Sequence, residues 1–201
     1  MTALSKREQV ANITLALGYS WFFVNNLAYL TVSFRVSVLI LAVFHLLIIA
    51  IAILRRPPKR VSLAPFDIVI TLLGTYSATF MVGISSQEEQ VALQALGGVG
   101  LLISLVAVLS LRGSFGLLPA DRGIVREGLY RFIRHPIYAG YLISMSCFLA
   151  QNYSLWNLGC FVSFCLFETL RLLREEKLLL QNPEYLRYSR SVRWRILPYV
   201  W

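Results

Sequence analysis

Long apolar stretches alternate along this chain with short clusters of polar and charged residues. Runs at 12–32, 36–54, 66–84, 91–111, 137–151 and 155–173 carry few charges. At a helical rise of 1.5 Å per residue, ~20 apolar residues cross the ~30 Å hydrocarbon core of a bilayer. The pattern therefore predicts an all-α, polytopic helical membrane protein with about six spans, forming a single membrane domain over 1–201. The fifth run is short. It begins either at 137 or near Tyr130 with a bend at Pro136, because proline removes a backbone donor and clashes with the preceding turn. Lys6 and Arg7 precede the first run, but that run is long and no small-residue cleavage site follows it, which predicts a retained helix rather than a signal peptide.

The polar punctuation sets an orientation. "RRPPKR" (Arg55 to Arg60) and the segments 112–135 and 171–195 carry most of the Lys and Arg, whereas "SSQEEQ" (Ser85 to Gln90) has none. Positive charge stays on the cytoplasmic side, so both termini are expected there.

Composition strengthens the membrane reading: 57% of the 201 residues are apolar and 14% charged, outside the range of a soluble domain. The net charge of +9 flanks apolar runs, as orientation and anionic headgroups require, and this argues for membrane lipids as partners and against nucleic acid. Cys147, Cys160 and Cys165 lie inside apolar runs without a paired His/Cys spacing, so they read as packing thiols and no metal is assigned. There is no internal repeat and no linker long enough to divide two domains.

Polar residues concentrate in a connector, Leu111 to Pro136, and a tail, Arg171 to Trp201, and a site built from both is the natural candidate. Gly113, Gly116, Pro119, Gly123 and Gly128 make the connector irregular and tightly turning. A helix from Ser154 to Gln181 would be ~40 Å long and project beyond the core. On it Glu168, Arg171 and Glu175 share one face, where Arg171 can pair with either carboxylate. A carboxylate at the depth of Glu168 costs a few kcal/mol unless paired or facing a wet cavity, so the three describe a polar pocket. Arg174 and Lys177 read as snorkelling interfacial charges, and His45 as a hydrogen-bonded structural histidine. "LGGVG" (Leu96 to Gly100) permits close approach of a helix or a ligand. His135 sits between Arg134 and Pro136, where the backbone is biased away from helix and exposes polar groups.

Together, "GLYRFIRHPIYAG" in the connector and "RLLREEKLL" with "EYLRY" in the tail resemble isoprenylcysteine carboxyl methyltransferases and their bacterial relatives, over roughly residues 96 to 199. The related phosphatidylethanolamine N-methyltransferases share a Gly-X-Gly element and a Glu-Glu pair, here Gly98-Val99-Gly100 and Glu175-Glu176. The resemblance implies a catalytic half at 96–201 and an integral protein of a bacterial inner membrane. It implies S-adenosylmethionine as cofactor, with S-adenosylhomocysteine as product, at a cytoplasmic site formed by the 112–136 connector and the tail. Gly98, Gly100, Ile124, Val125, Tyr130, His135, Tyr138, Glu175 and Glu176 would hold it, and the tail would fold back over it as a short helix. Arg171 would face a lipidic or small amphipathic methyl acceptor. "RWRIL" (Arg193 to Leu197) departs from the softer approach to the terminal proline expected of the family.

Methyl transfer from a sulfonium is an in-line displacement in which alignment and desolvation supply much of the rate. A carboxylate acceptor is already ionised near neutrality and would be fixed by Arg171, with Glu168 holding the guanidinium. A lipid amine or thiol acceptor would need a proton acceptor, for which Glu168 is the candidate. A membrane reductase with a nucleotide cofactor and a non-enzymatic scaffold are the other readings. Pro136 supplies the helix break where a polar cofactor meets a lipidic acceptor, and Arg131 and Arg134 read as headgroup anchors.

The charge asymmetry generates the first prediction. Tags at either end should react with an impermeant reagent only from the cytoplasmic side, and a Ser86→Cys variant only from the opposite side. A tail accessible from outside would mean that the spans are miscounted.

Overall fold

A computed structural model describes residues 6–32, 36–54, 56–84 and 90–201. Arg55 and Ser86 lie outside the described residues. Helices α1 (Lys6–Val32), α2 (Val36–Leu54), α3 (Pro65–Ser77), α4 (Val91–Leu111), α5 (Pro136–Gln151), α6 (Leu155–Leu179) and α7 (Pro183–Ser191) make up most of the chain. α1 packs on α2, α4 on α5 and α3 on α6. The two short strands β1 (Arg60–Val61) and β2 (Ala120–Asp121) pair antiparallel, with Arg60 opposite Asp121.

Large apolar side chains cover the outside as well as the core, and several charges lie inside. Leu17, Trp21, Val91, Val106, Leu155 and Val162 point outward, whereas Glu168, Arg171 and Glu176 are buried. Lipid tails accept the first set, and the second must find partners inside. Among the described residues, Val91–Ser114 and Leu155–Leu179 are long and apolar enough to cross a membrane by length and composition, two of the six spans expected.

The third run differs most from expectation. α3 stops at Ser77 instead of reaching 84, and its 13 residues reach only ~20 Å. Gly74, Thr75 and Ser77 are weak helix formers, and side chains beyond the helix offer its backbone other partners. Asn157 accepts from the Val82 amide (2.9 Å) and donates to the Val82 carbonyl (2.8 Å). Asn152 accepts from the Ile84 amide and Trp156 donates to the Phe80 carbonyl, each at 2.9 Å. Non-helical backbone is tolerated near a membrane where protein groups satisfy it in this way.

α5 has Pro136 in its first turn, and only a 3-10 turn, Gly128–Arg131, precedes it, so of the two starts considered the later one occurs. α6 is capped by Ser154, whose hydroxyl accepts from the Asn157 amide at 3.1 Å. α7 is capped by Asn182, which accepts from the Glu184 amide at 2.9 Å.

The basic segments meet at one end of the bundle. The Arg56 amide donates to the Gly113 carbonyl (2.8 Å) and the Ser62 amide to the Pro119 carbonyl (3.0 Å). Arg60 donates to Gln181 (3.0 Å), and Arg126 pairs with Glu184 (3.2 Å). Arg174, expected to snorkel, instead pairs at 2.5 Å with Asp67, which is buried and also takes the Ser62 hydroxyl. The buried carboxylate requires that partner.

The glycines of "LGGVG" divide their roles. Gly100 and Gly140 face each other so closely across α4 and α5 that a Cβ on either would collide with the other's carbonyl. Ser144 donates to the Gly97 carbonyl (2.8 Å) and Ser104 to the Ile137 carbonyl (3.1 Å), fixing the crossing. Gly98 has open space where its Cβ would be. Gly100→Val and Gly140→Val should each lower the thermal unfolding midpoint in detergent, by the equivalent of ~1–3 kcal/mol for overpacking. Gly98→Ala should leave it within the scatter of wild type.

Candidate active site

A cavity of ≈ 1180 Å³ runs through the bundle from the connector and tail, past the middle of α6, to Asn152 at the turn between α5 and α6. Single small-molecule sites commonly enclose ~300–1,000 Å³, so this chamber has room for two ligands meeting inside it.

In its middle lies the pair expected from the spacing on α6. Arg171 Nη1 donates to both carboxylate oxygens of Glu168, at 3.2 and 3.4 Å, and Arg171 Nε donates to the Leu117 carbonyl at 3.0 Å. The connector therefore dips far enough into the bundle to hold the guanidinium from a second side. The Tyr138 ring lies 5.5 Å from the guanidinium carbon. On α3, a Cβ at Gly74 would sit 2.9 Å from Glu168 Oε1, so only a glycine leaves room for the carboxylate in this position. Arg171 Nη2 has no protein partner among the described residues, and Arg171 lines the cavity.

Glu175, one turn nearer the connector, accepts from the Tyr138 hydroxyl at 3.0 Å and also lines the cavity. Around this end stand Ile124, Val125, Tyr130, His135, Tyr185 and Tyr188. Burial pushes the Tyr130, Tyr185 and Tyr188 phenols well above their ordinary range, so they remain neutral donors at any physiological pH. Tyr188 donates to the Tyr130 carbonyl at 2.7 Å, docking α7 on the connector.

Glu176 points the other way, off the cavity wall. One oxygen takes His135 Nε2 (3.0 Å) and the Tyr185 hydroxyl (2.9 Å) and lies 3.2 Å from Arg134 Nε. Its second oxygen takes Arg195 Nε at 3.0 Å. Connector, α6 and tail are thereby joined through one buried carboxylate. Arg134, expected as a headgroup anchor, is instead a buried member of this cluster, because the same turn that exposes Arg131 directs Arg134 inward. Two backbone bonds reinforce it, from the Arg134 amide to the Trp194 carbonyl (2.9 Å) and from the His135 amide to the Arg195 carbonyl (2.8 Å).

Of the residues singled out from the sequence, Glu168, Arg171, Gly98, Ile124, Val125, Tyr130, His135, Tyr138 and Glu175 line one cavity. Gly100 sits in the α4–α5 crossing and Glu176 in the ion cluster. Gly98 lies 13 residues, ~20 Å, from the connector end of α4, apart from the Glu175 group. Sequence reasoning missed Gly74, Tyr19 and the Leu117 carbonyl. Tyr185 and Tyr188 stood in the quoted "EYLRY", and their spacing of three on a helix placed both on one face. His45 is hydrogen-bonded as expected, with Asn26 Nδ2 at 2.9 Å from its Nδ1, and it also lines the cavity. Among the described residues no group of three potential metal ligands occurs.

Residues 99–181 match the model of the isoprenylcysteine carboxyl methyltransferase (ICMT) family. Among solved structures, the chain is similar to one of the eukaryotic intramembrane Ras methyltransferase ICMT determined without a monobody. That similarity has 19% identity, covers 90% of this chain and 74% of the other, and gives a TM-score of 0.47. No curated protein matches the chain in sequence. The resemblance to isoprenylcysteine carboxyl methyltransferases is thus carried by α4, the connector, α5 and α6, while most of the tail lies beyond the matched range.

The Glu176 cluster makes a prediction about the tail. Glu176→Gln removes the charge that holds Arg134 and Arg195, so trypsin should cut at Arg187, Arg190 and Arg193 faster than in wild type. Unchanged protection of the tail would show that Glu176 does not anchor it.

Proposed function

We propose, with the family match over residues 99–181 as premise, that the protein is an integral membrane methyltransferase. It uses S-adenosylmethionine to O-methylate the carboxylate of a lipid-like or prenylcysteine-like acceptor. The carrying observation is Arg171, held by Glu168 and the Leu117 carbonyl, with Nη2 unpartnered among the described residues, in the same cavity as Glu175.

The connector end of the cavity fits the cofactor by its chemistry. Glu175 offers a negative charge to a cationic group, Tyr130, Tyr185, Tyr188 and the His135 ring offer aromatic and polar edges, and Ile124 with Val125 offers an apolar face for a flat heterocycle. When bound, S-adenosylmethionine supplies an electrophilic methyl group on a sulfonium. Arg171 binds and orients the acceptor carboxylate, which needs no base because it is ionised near neutrality. Glu168 fixes the guanidinium plane, and the surrounding bundle excludes water so that the nucleophile is poorly solvated. Gly98, deeper in the cavity, borders the acceptor's apolar part in this reading.

An amine or thiol acceptor is disfavoured by one feature of the site. It would require Glu168 to accept a proton, yet both Glu168 oxygens are engaged by Arg171. The family match over residues 99–181 favours a methyltransferase over a reductase. The basic segments that gather at the connector end support a reading in which that end, with both termini, faces the cytoplasm from a bacterial inner membrane.

Two substitutions on one helix face should separate donor from acceptor. Glu175→Gln should lose most affinity for S-adenosylhomocysteine, measured by titration calorimetry, while remaining folded. Arg171→Ala should keep that affinity but lose at least ~100-fold in methyl transfer, and Arg171→Lys should recover little because an ammonium lacks the planar two-point grip. Loss of S-adenosylhomocysteine binding in Arg171→Ala would assign Arg171 to the cofactor instead and remove the support for a carboxylate acceptor.

A further inference from the structure

The cavity contains a second polar station that the methyl-transfer reading does not use. On its wall, at the level of α1 and α2, Asn26 Nδ2 stands 2.9 Å from His45 Nδ1. With Asn26 Nδ2 as the donor, Nδ1 accepts and Nε2 carries the proton of a neutral ring. Neither Nε2 nor the Asn26 carbonyl oxygen has a protein partner among the described residues, although both side chains line the cavity.

Aromatic rings hold the histidine in place. Phe22 stacks on it at 5.5 Å, Tyr19 tilts against it at 5.5 Å and Phe44 meets it edge-on at 6.0 Å. Phe22 in turn contacts Tyr76 of α3 at 5.8 Å. A histidine and an asparagine at membrane depth are costly, and one hydrogen bond between them leaves a donor and an acceptor unmatched. A chamber built for an unbroken hydrocarbon chain gains nothing from such a pair, because each unpaired group loses its water when the chain enters.

We propose that Asn26 and His45 form a second recognition site for the acceptor, taking an oxygen, as a hydroxyl or a carbonyl, carried within its apolar body. His45 Nε2–H donates to that oxygen, and the Asn26 carbonyl accepts from it when it is a hydroxyl. The acceptor class is therefore an oxygenated amphiphile rather than a plain isoprenoid or alkyl chain. This rests on reading the cavity as the acceptor's chamber, and it narrows what the chamber takes.

The test measures binding, so that it does not depend on catalysis. Wild type, His45→Phe and Asn26→Leu in nanodiscs are titrated with stearic acid and with its series of mid-chain hydroxy and oxo derivatives, with S-adenosylhomocysteine binding as the check of folding. Wild type should bind at least one oxygenated chain roughly tenfold more tightly than stearic acid, the ratio that one matched buried hydrogen bond supplies. His45→Phe, which keeps the ring stack, should abolish or reverse that preference, and Asn26→Leu should reduce it. Equal binding of every chain to wild type, or a preference that survives in both variants, overturns the proposal. Failure of methyl ester formation from any of these acids, with the binding preference intact, would count against the carboxyl methyltransferase reading and leave this site standing.

Discussion

The buried carboxylate of Glu176 is the constraint on which the arrangement at the connector end depends. A carboxylate with about 4% of its side chain exposed is costly unless its lone pairs are matched. Here the matching groups come from three places: Arg134 and His135 from the connector, Tyr185 from α7, and Arg195 from the segment after it. None of these groups is near Glu176 in sequence except Tyr185, so satisfying the charge forces the chain to fold back on itself. The consequence reaches the helix boundary: with His135 fixed by side chain and by its amide, the chain cannot enter α5 before Pro136, and Tyr138 is presented to the cavity one turn later.

Satisfaction of polar groups in an apolar surrounding governs the remainder of the bundle as well. Glu168 has Arg171, Asp67 has Arg174 and the hydroxyl of Ser62, and the non-helical backbone at 82–84 has the amides of Asn152 and Asn157. Packing adapts to these pairs, as where Gly74 leaves room on α3 for the Glu168 carboxylate of α6. Removing either partner from such a pair leaves a charge without water or counter-charge, which is worse than never having buried it. Polar contacts therefore share the interior with an apolar core that includes Phe44, Ile48, Val108 and Leu172.

The sequence made the periodic features legible and left the non-local ones hidden. Spacing on a helix placed Glu168, Arg171 and Glu175 on one face, and the Pro136 break followed from local rules. The third run was overextended to 84 because hydropathy records apolar character and not whether distant asparagines compete for the backbone. Arg174 and Arg134 were read as surface charges for a related reason. Their partners, Asp67 and Glu176, lie 107 and 42 positions away, and no local pattern announces such a pair. Gly100 and Gly98 looked equivalent in "LGGVG", yet their directions differ by 200° around a helix of 100° per residue, so one meets α5 and the other the cavity.

Under the proposed function, Tyr138 is the side chain that would let two ligands of opposite character share one chamber. Its hydroxyl donates to Glu175 while its ring faces the Arg171 guanidinium, so a single side chain touches both the carboxylate assigned to the donor and the cation assigned to the acceptor. The Tyr138 side chain thus links the surroundings of Glu175 and Arg171, which share a helix face. With Glu168 and Leu117 restraining the guanidinium on its other sides, Arg171 keeps one direction open, toward the cavity. In the proposed methyl transfer, positioning of this kind would limit the entropy lost when acceptor and donor meet, with the polar cofactor arriving from one end of the chamber and the acceptor from the other.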